Sequence, residues 1–88
     1  MKEIKVSIKN KLGLHARPAA LFVKTAAKYK SDIFVSRDSQ VVNGKSIMGV
    51  MMLAAENGAE LTISANGEDE DEALQGLSEL FERKFDEE

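Results

Sequence analysis

Apolar and polar residues alternate along this chain with two distinct periods. Over residues 2–9, Ile4, Val6 and Ile8 fall on one face and Lys5, Ser7 and Lys9 on the other. A period of two marks a strand with one buried face, because successive side chains of extended backbone point to opposite sides. The alternation returns at Leu61, Ile63 and Ala65, interleaved with Glu60, Thr62 and Ser64. Two shorter runs, 33–37 and 40–43, flank Asp38-Ser39, which predicts a tight hairpin. Between 16 and 28 the period lengthens: Ala19, Phe22, Val23, Ala26 and Ala27 recur at helical spacing. Pro18 fits the first turn of that helix, where a missing N–H removes no hydrogen bond. Lys24, Lys28 and Lys30 suit the negative end of its dipole. After the break at Gly44, Ser46 is a natural N-cap for a short helix over 47–54. A last helix is predicted from near Asp69, with Glu72 as its capping-box partner. Its buried stripe comprises Leu74, Leu77, Leu80, Phe81 and Phe85.

The predicted order is β-α-β-β-α-β-α. Strands with one apolar face each, and helices with one apolar stripe each, must share a core. The expected architecture is α+β: a two-layer open-faced sandwich, with a four-stranded antiparallel sheet and three helices on one face. The 88 residues are enough for one such core and not for two, so residues 1–88 are expected to form a single domain.

Composition narrows the class. Hydrophobic residues make up 43 % and charged residues 31 %, the balance of a soluble globular domain. The absence of cysteine excludes disulfides and thiolate chemistry. No apolar run approaches the roughly 18 residues of a membrane span, and Met1-Lys2-Glu3 does not open a signal peptide. The expected location is therefore the cytoplasm, without membrane insertion. A net charge of −3 argues against nucleic acid as a direct partner, since binding a phosphate backbone needs a concentrated basic face. The acidic run 68–72 reads as a solvated helix start. One histidine without cysteine gives no zinc-binding set, so no metal is expected. Gly44-Lys45-Ser46 looks like the end of a nucleotide phosphate loop, but Ser39 stands where that pattern requires glycine. No cofactor is expected either.

The informative chemistry lies in Gly13-Leu14-His15-Ala16-Arg17-Pro18-Ala19-Ala20. His15, the only histidine, falls at the cap of the first helix. The first amides of a helix have no intrahelical partners, and with the dipole they form an anion site. A phosphoryl group on the imidazole would meet the backbone N–H groups of Ala16 and Arg17. The Arg17 guanidinium is suited to phosphate oxygens. A neutral imidazole has a nitrogen lone pair that can attack phosphorus. Gly13 permits a sharp turn that keeps the ring at the surface. On these residues alone, His15 reads equally well as an ordinary helix cap.

A second feature is the segment Ile47, Met48, Val50, Met51, Met52, Leu53, apolar nearly all round. A surface helix buries one side. Val50 and Leu53 are expected to face the sheet, leaving Ile47, Met48 and Met51 exposed near His15. Exposed apolar patches mark binding surfaces, and methionine adapts to several partner shapes. Leu21 and Lys24 would border the patch, and Arg17, Lys24 and Lys45 would form a basic rim that steers acidic partners.

Residues 13–20 resemble the active-site signature of the HPr family, the histidine-containing phosphocarriers of the bacterial phosphotransferase system. Residues 44–53, Gly-Lys-Ser-Ile-Met-Gly-Val-Met-Met-Leu, resemble the family's second signature, around a regulatory serine. With the length and element order, the resemblance spans essentially the whole chain. It implies that His15 accepts a phosphoryl group on Nδ1 from phosphorylated Enzyme I, which draws it from phosphoenolpyruvate. His15 would pass it to Enzyme IIA-type proteins for sugar uptake, with Arg17 holding the group in both complexes. The protein would then be a covalent carrier and not a turnover enzyme. Ser46 would be the target of an ATP-dependent HPr kinase/phosphorylase, and the phosphoserine form could engage a transcription regulator. A monomer is expected. Relatives without the active histidine work as corepressors, and a nitrogen-related branch signals without moving sugar. Leu12, where sugar-system carriers often have a small hydroxyl residue, and the ending Phe85-Asp86-Glu87-Glu88 resemble the nitrogen branch, whereas residues 45–53 resemble the kinase-regulated group.

Overall fold

The computed structural model describes residues 1–87. The elements run β1 (Lys2–Ser7), α1 (Ala16–Ala26), β2 (Asp32–Arg37), β3 (Gln40–Asn43), α2 (Ile47–Met52), β4 (Glu60–Asn66) and α3 (Glu70–Glu82), followed by a tight turn at Lys84–Asp86. The strands form one sheet in the order β1-β4-β2-β3, with every pairing antiparallel. This is the predicted open sheet with three helices. Register explains the layering. Ile4 and Val35 both lie opposite Ile63, Val6 opposite Leu61, and Ile33 opposite Ala65, so one face is continuously apolar. The other face carries Lys5, Thr62, Ser64 and an exposed Phe34.

The helices close the apolar face. α1 contributes Pro18, Ala19, Phe22 and Ala26, and α3 contributes Ala73, Leu74, Leu77, Leu80 and Phe81. Each fully buried Leu, Ile, Val or Phe adds about 1.5–3 kcal/mol of transfer free energy. Phe22 meets Phe81 edge-on, with ring centroids 6.1 Å apart, and Phe81 meets Phe85 in the same way at 4.8 Å. β2 and β3 join through Asp38-Ser39 as the hairpin predicts, with Asp38 in the left-handed region at φ 56°.

Four local expectations are corrected. α1 stops at Ala26, and Ala27, expected on the buried stripe, is its exposed C-cap. α2 ends at Met52, two residues short of the expected 54, because the backbone turns left-handed at Ala54 (φ 48°). The capping box of α3 does not form. The Asp69 carboxylate instead accepts hydrogen bonds from the Lys30 and Ser31 amides at 2.8 and 3.0 Å and from the Ser31 hydroxyl. A tertiary partner with three donors outcompetes the local one, and Glu72 stays exposed. The Ser31 hydroxyl, followed by the Lys30 amide, holds the Asp69 carboxyl below its ordinary range.

The fourth correction matters most for the site. Phe85 is buried, but it is not on α3, which ends at Glu82. Lys84, Phe85 and Asp86 all adopt left-handed backbone, with φ of 57°, 55° and 59°. Left-handed helical backbone costs an L-residue about 1–2 kcal/mol. Burial of Phe85 at 3 % exposure offsets part of this, as do the bonds from Asp86 N–H to Arg83 C=O at 3.0 Å and from Glu87 N–H to Lys84 C=O at 2.9 Å. The chain is thereby folded back across the end of α1. Glu88, part of the expected acidic ending, lies outside the described residues.

Candidate functional site

The segment before α1 is held from below. Leu14 is buried, and its N–H donates to the Ala55 carbonyl at 2.9 Å. Gly13 has φ +73°, and a Cβ there would collide with that same carbonyl oxygen. Glycine is therefore required twice, for conformation and for close approach. The loop after α2 that presents Ala55 is itself pinned from the sheet. Arg37 donates to the Leu53 and Ala54 carbonyls at 3.3 and 3.1 Å and pairs with Glu56. The Glu56 carboxyl is held below its ordinary range by its own backbone hydrogen bond and by Arg37.

This foundation aims His15 outward. His15 is the N-cap of α1 in extended conformation (φ −80°, ψ −170°), and its side chain makes no cap hydrogen bond. The first helical bond runs from Ala19 N–H to the His15 carbonyl at 3.0 Å. Pro18 has no N–H, so the orphan donors are the amides of Ala16 and Arg17, both in exposed residues. The imidazole side chain is 37 % exposed. Arg17 lines a shallow depression with Lys11, Leu12, Asp86 and Glu87. An anion placed on the ring would meet two amides, the positive helix end and a guanidinium.

The other face of the ring is occupied. His15 Nε2 lies 3.2 Å from Oε1 and 3.1 Å from Oε2 of Glu87. Glu87 Oε1 also accepts a hydrogen bond from Asn10 Nδ2 at 3.1 Å. Asn10 is wholly buried and donates in addition to the Gly13 carbonyl at 2.7 Å. Arg17 thus shares its depression with the same Glu87 whose carboxylate meets the ring.

Beside this centre, α2 packs against α1. Val50 and Leu53 are buried as expected, while Ile47 (44 %), Met48 (75 %) and Met51 (41 %) are exposed. Met52 (64 %), from the same apolar segment, and Leu12 (73 %), beside Arg17, are exposed as well. Leu21 is half-buried and Lys24 exposed, on the same side of α1 as Arg17 by helical spacing. Ser46 caps α2 through its Oγ, which accepts from Gly49 N–H at 3.0 Å. Lys45 stands apart. Its ammonium donates to the Tyr29 carbonyl at 2.8 Å, beyond the C-terminal end of α1 and so at the far end of that helix from His15. Lys45 and Arg17 therefore sit at opposite ends of α1.

A family profile described as PTS HPr component phosphorylation site matches residues 2–83. The chain belongs to the PTS-HPr family of phosphocarrier proteins. It is 49 % identical to phosphocarrier protein HPr of Xylella fastidiosa strain Temecula1, over 99 % of this chain and 98 % of that protein. It is 53 % identical to HPr-like protein Crh of Bacillus subtilis, over 89 % of this chain and 92 % of that one. A solved HPr from Thermoanaerobacter tengcongensis superposes with a TM-score of 0.96 at 56 % identity, covering 100 % and 99 % of the two chains. The HPr of that organism is also solved as a dimer, with a TM-score of 0.78 at 55 % identity over 97 % and 98 % of the chains. A monomeric state for this family member is therefore not implied by its relatives. Among the described residues, no helix is long and apolar enough to cross a membrane.

Three residues of the site were not legible in the sequence. Asn10 reads as a turn residue, Arg37 as the end of a strand, and Glu87 as part of an acidic tail. No local periodicity signals any of them, because each acts across a separation of more than ten residues. The one available hint was Asn10 opening a turn that ends at Gly13, with no helix or strand to satisfy its amide.

Proposed function

We propose that this chain carries a phosphoryl group on His15, taking it from phosphorylated Enzyme I and handing it to Enzyme IIA-type proteins for sugar uptake. The observation that carries this reading is an outward-facing imidazole at a helix N-terminus whose own side chain leaves the first amides unused. In the transfer, a ring nitrogen of His15 attacks phosphorus as the donor's N–P bond breaks in line, and that bond's electron pair returns to the donor imidazole. The His15 ring becomes cationic while the phosphoryl oxygens keep their charge. The Ala16 and Arg17 amides and the Arg17 guanidinium then neutralise those oxygens without rearrangement. No metal or cofactor is needed for the exchange. The setting is the cytoplasm, and the chain acts as a covalent intermediate that does not itself turn over substrate.

The exposed Ile47, Met48 and Met51, bordered by Leu21 and Lys24, form the docking surface for these partners. Lys45 contributes at the Ser46 end of α2. Ser46 is a regulatory phosphorylation site for an HPr kinase/phosphorylase, in addition to being an N-cap. A phosphate there would place negative charge beside the docking surface and slow transfer from Enzyme I without unfolding the domain. A Ser46→Asp variant that accepts phosphoryl groups as fast as the wild type counts against this. The second reading is a regulatory protein-binding paralogue, nitrogen-type or corepressor-type, that engages a transcription regulator when Ser46 is phosphorylated. The 53 % identity to HPr-like protein Crh favours it.

The test is incubation with phosphoenolpyruvate and Enzyme I, followed by intact mass and acid treatment. The expected product has one added phosphoryl group that acid removes. A chain left unmodified by Enzyme I but phosphorylated by ATP and the serine kinase, with an acid-stable product, moves the assignment to the regulatory reading.

A further inference from the structure

We infer that Glu87 is a positioning residue for His15, selecting the nitrogen that accepts the phosphoryl group. This rests on the reading of His15 as the acceptor. A carboxylate is an acceptor only, so the ring nitrogen facing it must be the one that bears the proton. That nitrogen is Nε2, which lies within hydrogen-bond distance of both Glu87 oxygens. A neutral imidazole holding its proton at Nε2 presents its lone pair at Nδ1. Among the described residues, Nδ1 has no hydrogen-bond partner. Attack through Nδ1 then leaves a cation whose remaining N–H already points at a negative charge.

The carboxylate is placed rather than merely nearby. Asn10, 0 % exposed, spends both Nδ2 hydrogens on acceptors, the Gly13 carbonyl and Glu87 Oε1. Its Oδ1 is buried without a partner among the described residues. Reversing the amide would set Oδ1 against two oxygens, so the orientation that serves Glu87 is the one retained, even though it leaves an orphan. The tail is delivered by Phe85, buried against Phe81, and by the left-handed turn over Lys84–Asp86. The neighbouring Asp86 is occupied by Arg83 at 3.2 Å, which leaves Glu87 as the carboxylate facing the ring. The Glu87 side chain is only 15 % exposed, unlike a freely solvated glutamate.

The experiment uses the full ¹⁵N-labelled chain, unphosphorylated, at a pH where the ring is neutral. In the wild type, the Nε2–H proton should be visible and protected from solvent exchange, with ¹⁵N shifts of a single tautomer. In Glu87→Ala the signal should broaden into solvent exchange, the tautomers should mix, and phosphoryl uptake from Enzyme I should slow by about tenfold, as when other carboxylates that orient a histidine are removed. Glu87→Gln keeps an acceptor oxygen but no charge. It should retain the Nε2–H signal and lose part of the rate, which a purely structural tail contact would not do. An unchanged Nε2–H signal in Glu87→Ala overturns the inference, and so does faster uptake, which would make the tail a shield. If the wild type takes up no acid-labile phosphoryl group while its Nε2–H signal still depends on Glu87, the acceptor reading fails and the tautomer selection stands.

Discussion

α1 and α2 both begin after a residue in extended conformation, yet they dispose of their first amides in opposite ways. Ser46 folds its hydroxyl back onto Gly49 N–H and closes the end of α2. His15 leaves the end of α1 open and turns its side chain toward Glu87 instead. The closed end gains local stability. The open end forgoes a cap worth about 1 kcal/mol and keeps two amides available for an anion. α3 shows a third solution, in which the cap residue Asp69 gives its carboxylate to the α1–β2 connection. Of the three helix starts only that of α2 carries a side-chain cap, so the first amides of α1 are left free of one beside the His15 ring.

The comparison can be broken most completely at His15. His15→Ala should abolish acid-labile phosphorylation by Enzyme I while leaving urea unfolding nearly unchanged, since the side chain caps nothing. A retained acid-labile phosphate would place the acceptor elsewhere. Next in size is Gly13→Ala, which forces a Cβ into left-handed backbone against the Ala55 carbonyl. A loss of about 2 kcal/mol or more in the unfolding free energy from urea denaturation is expected, together with slower phosphoryl uptake, because the loop carrying His15 must shift. Wild-type stability in that variant would mean that the foundation under His15 is loose.

Ser46→Ala removes the closed cap. It should cost about 1 kcal/mol in chemical denaturation and leave phosphoryl uptake by His15 unaltered, the reverse of His15→Ala. A large loss of uptake would tie the two helix ends together more closely than their separate hydrogen bonds suggest. The smallest effect is expected at Asp69. Its folded-state carboxyl is held below the ordinary range, chiefly by the Ser31 hydroxyl, so it contributes stability above the unfolded carboxyl range. That contribution is lost as pH falls through the lower folded value. Asp69→Asn should lower stability at neutral pH and flatten the loss of stability on acidification below about pH 4. Identical acid limbs for the two proteins in thermal melts would remove Asp69 from the account.

Most of the site's core was readable because it is local. Gly13, His15, Ala16 and Arg17 are consecutive or nearly so, and a helix N-terminus is defined by its own few residues. Ser46 was readable for the same reason. The exposure of Ile47, Met48 and Met51 followed from a six-residue helix too apolar to bury all its sides. The contact of the Lys45 ammonium with the Tyr29 carbonyl was not readable, because sequence distance from Ser46 says nothing about which end of α1 the ammonium meets.

Periodicity, together with local breaks and caps such as Gly44, Ser46 and Pro18, therefore determined the strands, the helices, the single apolar face of the sheet and the placement of the histidine at a helix start, since each depends on a few neighbouring residues. Tertiary structure decided that α3 stops at Glu82, that Phe85 turns back through left-handed backbone, and that Glu87 and Asn10 meet at the imidazole. Those contacts join residues more than seventy positions apart, and no local pattern encodes them. They depend on the left-handed turn over Lys84–Asp86, which buries Phe85 and brings Glu87 back to Asn10 and His15.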